Sequence, residues 1–132
     1  MASAVTSFKD LMVWQKAMDL AVLCYARTEH FPSCEQFGLR AQIRRSAVSV
    51  PANIAEGHGR DHLREYVNHL SMANGSLMEL ETHLHLALRL GFVASDAFEE
   101  MLQASAEVGR LLAGLSRSLR RKLQAAVAAG RP

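Results

Sequence analysis

The chain has 132 residues, of which 49% are hydrophobic and 21% are charged, and this balance predicts one globular domain and excludes wholesale disorder. Lysine and arginine number 15 against 13 acidic residues, so the net charge of +2 implies no partner unless the charges cluster. No stretch is apolar enough to span a membrane and no signal peptide opens the sequence, so we expect a cytoplasmic protein.

The first predicted helix begins near Ser7 and ends near Glu29, before the break at 30–32. Ser7 and Asp10 resemble a capping box with a shortened acid. Apolar residues at spacings of three and four predict one buried stripe, made of Leu11, Trp14, Met18, Ala21 and Tyr25.

The second predicted helix begins at the capping box Ser33–Gln36 and ends at two glycines, Gly57 and Gly59. Its predicted stripe is Leu39, Ile43, Ala47, Val50 and Ile54. Pro51 lies inside this helix and lacks a backbone donor, so we expect a kink or short break there.

The end of the second helix contains polar residues in an otherwise apolar stretch. We interpret it as a structural joint or subunit contact, with a polar network around Asn53 and Glu56, and a ligand-binding box is the alternative. Gly57 is expected to take a left-handed conformation that turns the chain. The residues of this joint are Ser49, Pro51, Asn53, Glu56 and Gly57.

Two further helices follow, one from near Asp61 to a Gly91-Phe92 stop and one from the capping box Asp96–Glu99 to about Leu123. The third helix has the stripe Tyr66, Leu70, Ala73, Leu77, Leu80, Leu84 and Ala87. The fourth has Phe98, Met101, Ser105, Val108, Leu112, Leu115 and Leu119. Gly75 is unfavourable in a helix interior and predicts close approach of another helix, within the bundle or across subunits.

The short connections predict antiparallel neighbours, and hence an all-α, up-down-up-down four-helix bundle with helix two kinked at Pro51. Residues 1–132 form one domain, with its core at about 8–123 and with disordered tails expected at 1–6 and 125–132.

No pattern typical of catalysis is present. The chain lacks the Glu-x-x-His pairs of di-iron bundles, and its pairs at i and i+4, such as Glu79 and His83, favour surface hydrogen bonds. Cys24 and Cys34 have no metal-ligand spacing, and no nucleophile motif or phosphate-binding glycine loop occurs. We therefore expect no enzyme activity, no cofactor and no metal, and a metal-dependent bundle enzyme stays the least favoured alternative.

The basic residues cluster more than the net charge suggests. Arginine forks suit phosphate oxygens, so the clusters are candidate nucleic-acid contacts, whereas a solvated face that complements the helix dipoles is the alternative. The candidates are Arg40, Arg44, Arg45, Arg60, Arg64, Arg117, Arg120, Arg121 and Lys122.

Five segments in order carry a family resemblance: Phe8–Ala17, Phe31-Pro32, Leu39–Ser46, Ser49–Gly57 and Gly75–Glu81. Together they resemble the four-helix-bundle protein family named for the intervening sequences of 23S ribosomal RNA. The resemblance covers about residues 8–123 and implies a homopentamer without known catalytic activity. The chain also looks like a relative of the accessory proteins of diversity-generating retroelements, which bind a reverse transcriptase and nucleic acid.

Two functions follow as hypotheses. The first is a non-enzymatic homo-oligomer, a pentamer by resemblance, that binds RNA or DNA as an accessory protein and could partner a reverse transcriptase. The second is a protein-interaction scaffold without a nucleic-acid role, whose arginines form salt bridges between subunits.

Overall fold

The computed structural model describes residues 7–130 and contains four α-helices with no strand in that range. They are α1 (Met12–Arg27), α2 (Leu39–His58), α3 (Leu63–Arg89) and α4 (Ser95–Ala128), and single 3₁₀ turns cover Phe8–Asp10 and Ser33–Glu35. The all-helical class predicted from the sequence is therefore confirmed. No helix within residues 7–130 combines the length and the apolarity that a membrane crossing requires.

The four helices enclose one core. α1 and α3 each pack against both α2 and α4, whereas in the described part of the chain α1 does not contact α3 and α2 does not contact α4. Fully buried side chains from every helix fill the centre, and the largest include Leu20, Ile43, Ile54, Leu70, Leu77, Leu80, Leu84, Met101 and Leu112. α1 and α3 therefore occupy opposite corners of the bundle.

The predicted stripes of α2, α3 and α4 form the core as expected. All five residues of the α2 stripe are buried, and only Tyr66 of α3 and Leu115 of α4 are partly exposed. The predicted stop of α3 is also confirmed, because Gly91 has a φ of 76° and the Phe92 amide donates to the Ala87 carbonyl at 2.9 Å.

The stripe predicted for α1 is correct only in part, because Ala21 is buried and Leu11 and Trp14 pack against the core. The buried residues of α1 are Val13, Ala17, Leu20, Ala21 and Cys24. Met18 and Tyr25, which the prediction placed in the core, are 39% and 45% exposed. α1 is apolar on nearly every side, so spacing alone did not identify which side faces the other helices.

The role predicted for Gly57 is wrong. Gly57 is a helical residue of α2, and the glycines with positive φ among the described residues are Gly91 and Gly130. A Cβ at position 57 would lie 2.7 Å from the Cβ of His69 and 3.3 Å from the Tyr66 carbonyl oxygen. Gly57 is therefore needed for the close approach of α2 to α3.

Several boundaries differ from prediction. Ser33 opens a 3₁₀ turn instead of α2, which begins at Leu39 with its amide donating to the Glu35 carboxylate at 2.7 Å. α2 runs through Pro51 without a break, and a bend there stays a prediction. α4 extends to Ala128, past the expected end near Leu123, so 125–128 are helical. Residues 1–6 and 131–132, predicted as tails, lie outside the described residues.

Candidate nucleic-acid interface

The second half of α4 is the most basic segment of the structure. From Val108 to Gly130 the chain has five basic residues and no acidic one, whereas the acids of α4 all lie before Val108. Four of the five, Arg117, Arg120, Arg121 and Lys122, are exposed on the last turns of the helix. Among residues 7–130, none of these four forms a salt bridge or a side-chain hydrogen bond. We call these four residues the α4 basic cluster.

Arg44 and Arg40, two of the predicted nucleic-acid contacts, donate hydrogen bonds to the end of α1. The Arg44 Nε donates to Thr28 Oγ1 at 3.1 Å, its Nη2 donates to the Tyr25 carbonyl at 3.1 Å, and its guanidinium lies 4.4 Å from the Tyr25 ring centroid. The Arg40 Nη1 donates to the Glu29 carbonyl at 3.4 Å. Because carbonyls at a helix C-terminus carry partial negative charge, these arginines stabilise the end of α1, and Arg44 is held there by two hydrogen bonds and the Tyr25 ring.

Arg60 is neutralised by carboxylates. It lies 2.8 Å from Glu56 and 3.9 Å from Glu65, and Glu56 also lies 4.0 Å from His69. Arg60 therefore belongs to a local ion network that would weaken its attraction for phosphate.

The last two candidates are exposed. Arg45 makes only a long hydrogen bond of 3.4 Å to Gln42, and Arg64 lies near the start of α3 with no ion pair in the described chain. Arg40 and Arg60 are twenty residues apart, at either end of α2, which is about 30 Å at 1.5 Å per residue. The structure therefore splits the nine predicted residues between two ends of the bundle.

The predicted joint on α2 forms a polar network with α3. Ser49 Oγ lies 2.8 Å from Ser76 Oγ, the Asn53 amide donates to Ser49, and Asn53 Oδ1 lies 3.3 Å from His69 Nδ1. Glu56 bonds Arg60 instead of Asn53. The network joins two helices of one chain, and its Ser76 and His69 members were not identified from the sequence.

The sequence also raised the question of a metal site and of the two cysteines. Within residues 7–130 no group of three or more His, Cys, Asp or Glu side chains is placed to hold a metal ion. Burial raises the pKa of the Cys24 thiol to about 12, so this cysteine is a poor nucleophile. Cys34 is exposed on the turn before α2.

A groove between α3 and α4 was missed by sequence reasoning. It has a volume of about 240 Å³ and is lined by Leu70, Ser71, Asn74, Leu112, Ala113, Ser116, Arg117 and Arg120. We call it the α3–α4 groove. Its polar residues belong to two helices more than 40 residues apart, so no local motif could have found it.

Known proteins similar to this chain support the fold. A solved structure of a protein of unknown function from the S23 ribosomal protein family of Bacteroides thetaiotaomicron is 25% identical, with a TM-score of 0.74, and the alignment covers 80% of this chain and 98% of that one. No curated protein matches the chain. The family model described as 23S rRNA-intervening sequence protein matches residues 9–114. Because the match covers more than half of the sequence, the chain belongs to the 23S rRNA-intervening sequence protein family.

Proposed function

We propose that this protein is a non-enzymatic homo-oligomer that binds RNA through the α4 basic cluster. The observation that carries the proposal is the segregation of charge on α4, where the last 23 described residues include five basic side chains and no carboxylate. The family name refers to ribosomal RNA, which is consistent with an RNA ligand. DNA is the alternative polyanion.

Unpaired arginines favour this function over a solvated face. A guanidinium that already binds a carboxylate gains little from a phosphate, whereas Arg117, Arg120 and Arg121 have no acidic partner in the described chain. Basic side chains near a helix C-terminus also complement its dipole, but the dipole acts only over the last turn. Arg117 lies eleven residues before the end of α4, too far for that explanation.

The relative direction of α3 and α4 decides which residues of α3 lie beside the α4 basic cluster. Ser105 Oγ donates to Glu81 at 2.8 Å, and a Cβ on Gly109 would lie 3.4 Å from Leu77. These two contacts indicate that α3 and α4 run antiparallel. Contacts of Arg27 with Glu100 and of Lys16 with Glu107 run the same way. We infer the up-down-up-down order from these contacts.

In this order Arg64 lies opposite the α4 basic cluster. Arg64 is thirteen residues before Leu77 and Lys122 is thirteen after Gly109, so the two basic residues lie at the same level along the bundle. This end of the bundle therefore carries five basic residues without an ion pair among the described residues, whereas Arg40 and Arg44 support the other end.

Two exposed apolar stripes support self-association. The α1 stripe consists of Met12, Met18, Val22 and Tyr25, and the α3 stripe of Met72, Met78, Leu86 and Leu90. Val22 is 66% exposed and Leu90 53%, which is unusual for aligned apolar side chains unless a partner covers them. Gly75 lies among the α3 stripe with no atom near its absent Cβ, so it does not serve packing within the chain.

Because α1 and α3 are at opposite corners, one copy's α1 stripe can meet the next copy's α3 stripe. Such a head-to-tail contact between different surfaces generates a closed ring when the rotation from copy to copy closes, and an open filament when it does not. The pentamer that the family resemblance implies is the ring size we propose. A ring repeats the basic end in every copy, so a modest charge per chain gives strong avidity for a polyanion.

The experiment is RNA binding by fluorescence anisotropy at several salt concentrations. We expect log affinity to fall with log salt at a slope of about 0.7 per neutralised phosphate on a single strand. Replacing Arg117, Arg120, Arg121 and Lys122 together by alanine should flatten this slope and weaken binding at least tenfold. The matched control is Arg45→Ala with Arg89→Ala, which removes exposed basic residues elsewhere and should leave the slope nearly unchanged. Equal affinity of the quadruple variant and the wild type would refute the site.

The exposed stripes also fit a second function, a protein-interaction scaffold without a nucleic-acid role. A reverse transcriptase, implied by the resemblance to retroelement accessory proteins, is the first partner to test. For this function Val22→Lys or Leu86→Lys should abolish partner capture, and native mass spectrometry of the purified protein should show no bound nucleic acid. Retained RNA binding by both variants would favour the first function.

A further inference from the structure

The α3–α4 groove combines features that suit a phosphate-bearing ligand. Two arginines, two serines and one asparagine line it, and no acidic residue does. Arginine forks and hydroxyl groups are the side chains that most often bind phosphate oxygens. Neither Arg117 nor Arg120 has an ion-pair partner in residues 7–130, so their donors are available to a ligand.

The groove also has an apolar part. Leu70 and Leu112 form its floor but are 0% and 1% exposed, so the apolar surface open to a ligand is that of the exposed Ala113. A ligand that presents only phosphate would leave this apolar surface exposed to water. A sugar attached to the phosphate would cover it.

The volume limits the ligand to one small unit. The groove is open to solvent on one side and has a volume of about 240 Å³, which is below the ~300 Å³ at which pockets for drug-sized ligands begin. A nucleoside monophosphate is itself a ligand of drug size, so the groove can hold its phosphate and part of its sugar while the base lies outside.

We propose that the α3–α4 groove binds one nucleotide of the RNA strand, with its phosphate on Arg117 and Arg120 and its sugar against Ala113. This site rests on the function proposed above and makes it more specific. It distinguishes two members of the α4 basic cluster, which line the groove, from Arg121 and Lys122, which do not.

Part of the groove lies outside the region that defines the family. The family match ends at residue 114, whereas Ser116, Arg117 and Arg120 follow it on α4. Gly114, the last matched residue, leaves space along the helix, because a Cβ there would lie 3.9 Å from Arg117 Nη2. The site is therefore argued from this chain's own α4 and not from family membership.

The test uses substitutions that keep the charge constant. Ser71→Leu and Asn74→Leu fill the groove from α3 at exposed positions. Gln103→Leu is the matched control, since it adds the same apolar side chain on exposed α4, thirteen residues from Ser116 and about 20 Å away along the helix. With a fluorescein-labelled single-stranded RNA, we expect both groove variants to bind at least tenfold more weakly and the control to bind like the wild type.

A second set of variants keeps the positive charge but removes the paired N–H donors of the guanidinium group. Arg117→Lys with Arg120→Lys should weaken binding severalfold, because lysine cannot bind a phosphate through two parallel hydrogen bonds. Arg45→Lys with Arg89→Lys is the matched control, since both are exposed arginines outside the α4 basic cluster, and it should bind like the wild type. A free nucleoside 5′-monophosphate should compete with the RNA for the wild type. Lack of such competition, with the variant effects intact, would assign the site to nucleotides within a strand.

The outcomes separate the two proposals. Absence of salt-dependent RNA binding by the wild type would overturn the proposed function and this site together. Salt-dependent binding that Ser71→Leu, Asn74→Leu and the double lysine variant all retain would overturn the groove alone. Circular dichroism checks the fold of each variant, and if a leucine variant unfolds, the lysine pair decides the outcome.

Discussion

Replacing Gly57 by alanine should destabilise the protein although alanine is the better helix former. The added methyl group would lie 2.7 Å from the Cβ of His69 and 3.1 Å from Cδ1 of Tyr66. The Tyr66 carbonyl oxygen would be 3.3 Å away. These atoms are part of the α3 backbone or attached close to it, so they cannot swing aside and the two helices must separate.

Two opposing effects set the magnitude. Alanine in place of glycine inside a helix contributes about 1 kcal/mol of stability. Overpacking a buried contact costs typically about 1–3 kcal/mol, and a contact this short with a Cβ, which cannot move without the backbone, belongs in the upper part of that range. We expect a net loss of about 1–2 kcal/mol in the free energy of unfolding.

The assay is urea denaturation followed by circular dichroism, at one protein concentration because self-association would shift the midpoint. Gly114→Ala is the matched control. It also changes a glycine inside a helix, but its Cβ would meet only Arg117 Nη2 at 3.9 Å, an ordinary contact. We expect Gly114→Ala to gain about 1 kcal/mol. Equal gains for the two variants would refute the steric role of Gly57.

Arg44→Ala should lower the free energy of unfolding by about 1–3 kcal/mol, because two charged hydrogen bonds to the end of α1 and the contact with the Tyr25 ring are lost. The RNA affinity of this variant should equal that of the wild type. Glu100→Gln tests a pH effect: the hydrogen bond from Arg27 lowers the pKa of Glu100 below its usual 4.5. The wild type's advantage over this variant in urea should be present above that value and vanish as pH falls through the folded pKa. With a thiol reagent near neutral pH, Cys34 should react at once, and Cys24 should react only after unfolding, because it is buried.

Three of the four core faces were predictable from the sequence because each helix has one apolar stripe with regular spacing. On α3 the buried stripe alternates spacings of four and three through several turns, and the exposed apolar residues Met72, Met78, Leu86 and Leu90 do not follow that alternation. α1 lacks this contrast, since Met18, Val22 and Tyr25 are apolar like the buried Ala17 and Leu20. Only contact with α2 and α4 determines which side is buried.

The basic residues illustrate a second limit. Arg44 and Arg117 look alike in the sequence, each being an arginine on a helix with further basic residues nearby. Arg44 donates to Thr28, sixteen residues earlier in the chain, whereas Arg117 reaches no acidic side chain. Charge clusters can be read from the sequence, but whether their donors are already used depends on which helix ends are neighbours.

The sequence by itself determined the four helices, most of their buried faces and the family, because apolar spacing and a stop such as Gly91 act over a few residues. The tertiary structure decided which arginines remain unpaired, why position 57 must be glycine, and that Ser71 and Asn74 share a groove with Arg117. The physical reason is that hydrogen bonds, steric contacts and grooves between helices depend on distances across the bundle, and positions far apart in the sequence set those distances.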